Sequence, residues 1–272
     1  MGWKKIKKID AHVHILPEER RKEILKNYED HPWVEAKLEQ LLSLMDKYNI
    51  EKAVLQPVND SDLYYSMRKT NEFLSAMVNQ ASDRLIAFAD LEIKNAYSLE
   101  AAPAELEYAI KELNLKGLKI HPSNLNLAAD DLKLVPVLRK AAELEIPVMY
   151  HSNPSLQGFY DTCTPEKINK MIKVFPDIDF ITAHLGGMRY MDAINAVTWV
   201  DISFILPQLV KLNGIDQANR ILRMFGVERI IFGTDFPEAS YKQYFNILEQ
   251  MDFSEQEIEQ IVYKNISEIL EI

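Results

Sequence analysis

Short apolar runs alternate with longer amphipathic stretches along the whole chain. This alternation constrains the fold more than any other feature. The short runs lie at Ile9–His14, Ala53–Val58, Arg84–Ala89, Leu115–Pro122, Pro147–His151, Asp179–His184, Val197–Ile202 and Arg229–Asp235. Between them apolar residues recur three and four apart, as at Leu38, Leu41, Leu42, Met45 and Tyr48, or at Val135, Leu138, Ala141 and Ala142. The first pattern predicts strands and the second helices. Thr164 followed by Pro165 and Glu166 reads as a helix start, and Ser254 with Glu257 as a capping box. Eight strands with intervening helices predict an α/β protein, a (β/α)8 TIM-type barrel. A length of 272 residues, 47% of them hydrophobic, suits one such domain spanning residues 1–272. A doubly wound open sheet is the other arrangement of these elements. No G-x-G-x-x-G follows the first strand, which weakens its dinucleotide-binding form.

In a barrel of this kind, active sites form at the C-terminal ends of the strands. Every histidine except His31 falls at such an end. His12 and His14 are two apart on the first strand, so their side chains share a face. His121 ends the fourth strand, His151 the fifth and His184 the sixth, and Asp235 ends the eighth. A single histidine at any one of these places would more often be a satisfied core or loop residue. Together they predict a metal centre.

His12, His14, His151 and Asp235 supply three imidazoles and one carboxylate, a set that leaves a coordination position open. Imidazole and carboxylate donors suit zinc, with manganese or iron as alternatives. A bound ion brings the pKa of its water to about 7. Asp235 is then placed to take that water's proton, and His184 to hydrogen-bond the water or polarise substrate. Asp10 shares the strand face of the two histidines and is placed to orient a ligating ring.

These motifs resemble the amidohydrolase superfamily. Asp10-Ala11-His12-Val13-His14, His151, Ala183-His184-Leu185-Gly186-Gly187 and Gly233-Thr234-Asp235-Phe236-Pro237 occur in that family's order over nearly the whole chain. The resemblance is to the amidohydrolase-related branch that includes aminocarboxymuconate-semialdehyde decarboxylase. It implies a metallo-dependent hydrolase-like barrel, with a divalent metal, usually zinc, on residues matching His12, His14, His151 and Asp235. It also suggests a homodimer. Members hydrolyse amides, lactones and esters, or decarboxylate small acids without oxidation. The reading placed first is a hydrolase using a metal-activated water. A non-oxidative decarboxylase in the same site is the alternative, and a non-catalytic metal-binding protein is a third reading.

Lys119 and His121 share a face of the fourth strand. In binuclear members a carboxylated lysine at the matching place bridges a second metal; otherwise Lys119 is a cation facing Asp235 or an anionic substrate. Arg189 offers a fork for a carboxylate. His121, Asn153 and Phe236 are further candidates for substrate contact, and Gln56, Asn59, Ser123, Asn124, Ser152, Tyr160 and Tyr241 for the pocket wall. No long stretch is left for a second domain, which predicts a small-molecule substrate.

A formal net charge of −10 argues against nucleic acid, which needs a basic face. No apolar run approaches the roughly 20 residues of a membrane span. One cysteine, Cys163, excludes an internal disulfide, and Met1–Lys5 lacks the apolar core of a signal peptide. A cytoplasmic location is the expectation.

Overall fold

The computed structural model describes residues 3–28, 30–93, 95–153, 161–195 and 198–272. Tyr160 and Val197, singled out above, lie outside the described residues. Among the described residues eight strands occur: β1 (Lys8–Val13), β2 (Ile50–Leu55), β3 (Leu85–Ala87), β4 (Leu118–Ile120), β5 (Val148–Tyr150), β6 (Phe180–Thr182), β7 (Trp199–Asp201) and β8 (Ile230–Ile231). All fall inside or beside the predicted runs, and most are shorter. The chain forms two compact units. One comprises Met1–Leu55, Asp83–Leu85 and Asp201–Ile272, the other Gln56–Ser82 and Ile86–Val200.

In the first unit β1 runs parallel to β2, pairing Ile9 with Lys52 and Val13 with Leu55. Along its other edge β1 meets the segment that continues β8: Ala11 N donates to Phe232 O at 3.0 Å, and Asp235 N to His12 O at 2.8 Å. His14 N donates to Phe236 O at 2.7 Å. Flanked on both edges, all of β1 is buried, as parallel strands covered on both faces are. Even Lys8 is buried; its ammonium donates to the carbonyls of Ile6 and Tyr48 and lies over the Phe245 ring. Desolvation pushes it down to about 8.

The helix Leu38–Tyr48 buries Leu41 and Met45 from the predicted stripe and ends at Asn49 in the left-handed conformation. The predicted capping box at Ser254 and Glu257 is present. Downstream, Gln260–Lys264 forms a π turn. Its Ile261 carbonyl accepts from Phe232 N at 3.0 Å, so the irregular turn ties the last helical segment to the β8 extension. Asn265 adds hydrogen bonds from Nδ2 to the Val227 and Ile230 carbonyls at 2.7 and 2.6 Å.

In the second unit β4, β5, β6 and β7 pair in parallel, in chain order. Ala89 bridges to Leu118, extending the parallel set beyond β4. The helix Pro165–Val174 begins as predicted, with Thr164 accepting from Lys167 N and Pro165 at the first position. Pro122, two residues past the end of β4, opens the helical turn Pro122–Leu125.

Candidate metal centre

The first unit brings three of the predicted ligands together. His12 lies on β1 and His14 just beyond it, and their rings sit edge to face with centroids 5.1 Å apart. His14 Nε2 is 2.9 Å from Asp235 Oδ1, and His12 Nε2 is 3.4 Å from the same oxygen. One ligand atom from each of the three residues lies within 4.8 Å of the others, and all three residues are buried. Asp235 adopts φ +66°, a conformation aspartate tolerates better than most residues. That bend turns its carboxylate toward the imidazoles while its N–H holds the His12 carbonyl. Gly233 makes room for this approach: a Cβ there would stand 3.0 Å from His12 Cβ and 3.2 Å from Ser203 Cβ. Two imidazole nitrogens and a carboxylate oxygen at this spacing fit a divalent transition ion and leave further coordination positions open.

The back of His12 is held by residues the sequence reading did not select. Asp201 Oδ2 lies 2.8 Å from His12 Nδ1. Asp201 Oδ1 accepts from Ser203 N at 3.0 Å and from Ser203 Oγ at 2.6 Å. Ser203 Oγ is also 3.0 Å from His12 Nδ1. The signal was available: Asp201 is a carboxylate at the end of the seventh apolar run, the same cue that marked Asp235 on the eighth. Asp10, expected to orient a ring, is engaged with backbone and a hydroxyl. Its carboxylate accepts from His12 N at 3.1 Å, Thr234 N at 3.0 Å and Thr234 Oγ1 at 2.6 Å, so it joins β1 to the β8 extension through the backbone. Burial pushes the Asp10 carboxyl up to about 7, against the opposing pull of its Thr234 hydrogen bonds.

His14 also packs against Trp33, ring centroids 5.1 Å apart, and the Trp33 indole donates to the Glu238 carboxylate. Glu238 N donates to the Asp235 carbonyl at 2.8 Å, so this wall is continuous with the loop that carries Asp235. Phe236 is buried, and its ring centroid lies 6.4 Å from that of Tyr241, also buried.

The remaining candidates lie in the second unit. His151 stacks on His121, with centroids 3.8 Å apart, and His184 Nε2 is 3.1 Å from His151 Nδ1. His184 opens a run of four residues at positive φ, through Leu185, Gly186 and Gly187, a conformation the two glycines adopt without strain. β4 ends at Ile120, so His121 is the cap of a helical turn rather than a strand neighbour of Lys119. Lys119 is buried, with Nζ 3.4 Å from Met149 Sδ. The Arg189 guanidinium is engaged by carboxylates: Glu166, Asp192 at 2.9 Å and Asp161 at 3.9 Å. Asn59 serves the backbone: its Oδ1 accepts from His121 N, and its Nδ2 donates to Asp90 and to the Lys119 carbonyl. Asn124 donates to the Val58 carbonyl, Ser152 to the Cys163 carbonyl, and Ser123 pairs with Thr162. Gln56 is buried, and Asn153 is partly exposed. No helix among the described residues is long and apolar enough to cross a membrane.

Known structures resemble this one over nearly its whole length. An uncharacterised TIM-barrel protein from Bordetella bronchiseptica superposes with a TM-score of 0.78 at 20% identity, covering 98% of this chain and 99% of that one. A dihydroxybenzoic acid decarboxylase from Polaromonas sp. JS666, with bound manganese and the inhibitor 2-nitroresorcinol, gives 0.74 at 17% identity, covering 100% and 97%. A probable 2-pyrone-4,6-dicarboxylic acid hydrolase from Acinetobacter baumannii, with citric acid bound, gives 0.72 at 19% identity, covering 98% and 100%. Decarboxylases of 5-carboxyvanillate and 2,6-dihydroxybenzoate are further structures of this kind. At these identities the likeness establishes the fold, an α/β protein of the TIM-barrel type. No curated protein sequence matches the chain. The amidohydrolase family profile matches residues 9–272, and the chain belongs to that family. It is therefore an enzyme of the metal-dependent amidohydrolase class, whose scaffold serves hydrolases and decarboxylases alike.

Proposed function

We propose that the protein is a metal-dependent, non-oxidative decarboxylase of a small ring carboxylate. The observation that carries the metal is the His12, His14 and Asp235 donor group, with its ligand atoms within 4.8 Å of one another. Manganese is the ion named with the Polaromonas neighbour, and zinc is the ion expected from the donor types. What favours decarboxylation is the prominence of ring-acid decarboxylases among the structural neighbours. A bound divalent ion supplies positive charge that orients an anionic substrate and offsets charge developing on it.

The chain's own part is proton transfer. Decarboxylation replaces a carboxylate with a proton at the same ring carbon. Asp235, next to both imidazoles, holds that proton on its carboxyl and delivers it to the ring carbon. The bond to the carboxylate then breaks, its electron pair returns to the ring, and carbon dioxide leaves. Trp33 and Glu238 hold His14 and the Asp235 loop in place during this step.

Hydrolysis of a lactone is the second reading, favoured by the pyrone-dicarboxylate hydrolase neighbour. There Asp235 takes a proton from water instead of giving one to carbon. His184 is the second candidate for proton transfer in either reading. The deciding experiment incubates manganese-loaded protein in D₂O with dihydroxybenzoates, 5-carboxyvanillate and a pyrone dicarboxylate. The proposal predicts carbon dioxide release with deuterium at the vacated ring carbon. Ring opening of the pyrone with no carbon dioxide from any acid would overturn it in favour of the hydrolase.

A further inference from the structure

We infer that Asp201, steadied by Ser203, is a positioning residue that fixes the tautomer and orientation of His12 for metal binding. This rests on the metal centre proposed above. A carboxylate has only acceptors to offer. With Asp201 Oδ2 at 2.8 Å, His12 Nδ1 must carry the proton, because a lone pair there would face an oxygen lone pair in a buried site. Ser203 fits the same assignment. Its N–H and O–H both serve Asp201 Oδ1, at 3.0 and 2.6 Å, which leaves an Oγ lone pair free to share the His12 Nδ1–H at 3.0 Å. A neutral imidazole protonated at Nδ1 presents a bare lone pair at Nε2. That Nε2 is the nitrogen 3.4 Å from Asp235 Oδ1, well beyond the 2.8 Å of the Nδ1–Asp201 contact, so the closer carboxylate takes the single ring proton. The lone pair is thus aimed into the donor group before any ion arrives. Gly233, against both His12 Cβ and Ser203 Cβ, admits the close packing that this arrangement needs.

His14 provides a contrast. Its Nε2 meets Asp235 itself, 2.9 Å away, and its ring is steadied by packing on Trp33.

Asp201→Asn preserves the shape and removes the logic. With its amide NH₂ toward His12 it donates to Nδ1 and drives the proton to Nε2, where the ion should bind. Flipped, it sets the NH₂ against the donors of Ser203. Either way an unfavourable contact appears. Nitrogen-15 NMR of histidine-labelled, metal-free protein reads the tautomer directly, and the free-ion EPR signal of added manganese reads affinity. The parent should show His12 protonated at Nδ1, and D201N should lose that signature and bind manganese about 10- to 100-fold more weakly. Should D201N fail to fold, the tautomer of the parent decides alone: His12 protonated at Nε2 overturns the inference. A parent that takes up no manganese overturns the metal centre and this role with it. Manganese uptake by the parent, with D201N binding equally well, overturns this role alone.

Discussion

Asp90→Asn should reverse a pH-dependent loss of stability. Asp90 is buried in the second unit, with Oδ1 accepting from Asn59 Nδ2 at 2.7 Å and its N–H donating to Asn71 Oδ1 at 2.7 Å. Burial pushes its carboxyl up to about 7 from an ordinary 3.8, despite the Asn59 hydrogen bond. The folded state therefore binds a proton that the unfolded state has already released between these values. Stability falls as pH rises wherever the folded state binds more protons. Three units at 1.36 kcal/mol each give about 4 kcal/mol in all, of which about 3 kcal/mol falls between pH 4.5 and 7.5. Urea unfolding of parent and D90N at both pH values isolates this group, because other titrations cancel in the difference. D90N should gain about 3 kcal/mol relative to the parent across the interval. A parent–variant difference that is the same at both pH values would refute the reasoning.

Lys8 has the opposite sign: burial pushes it down to about 8, so its contribution to stability should rise with pH from there toward 10.5, and Lys8→Met should flatten that rise in thermal melts. Gly233→Ala places a Cβ against His12 and Ser203, and should cost about 1–3 kcal/mol in chemical denaturation while weakening manganese uptake. Asp235→Asn keeps the shape but loses the acidic site, and should lower kcat by about 10²-fold, with metal partly retained; full metal loading with parent turnover would pass the proton-transfer role to His184.

The strands and the gathering of His12, His14 and Asp235 were legible from the periodicity of the runs and the places where they end. The i, i+2 spacing of His12 and His14 puts both rings on one side of a buried strand, and the Gly233-to-Pro237 turn marks where Asp235 leaves the strand. The supporting interactions were harder to read, because they depend on which neighbour a side chain meets. Asp10 shares a strand face with the histidines, yet its carboxylate goes to the Thr234 backbone and hydroxyl. Asp201 stands 189 residues from His12 in the chain and meets its ring. Arg189 looks free in sequence, and Glu166 and Asp192 hold its charge. The same holds for Asn59, whose amide serves the His121 and Lys119 backbone rather than a ligand.

A metal held by His12, His14 and Asp235 underlies the proposed chemistry. Elemental analysis of protein purified without chelator, for the parent and for the combined His12→Ala and His14→Ala variant, tests it most directly. His151→Ala measured alongside tests the third imidazole expected from the sequence. The parent should carry about one equivalent of divalent transition metal per chain and the double variant almost none. Equal metal content in the parent and the folded double variant would contradict the account.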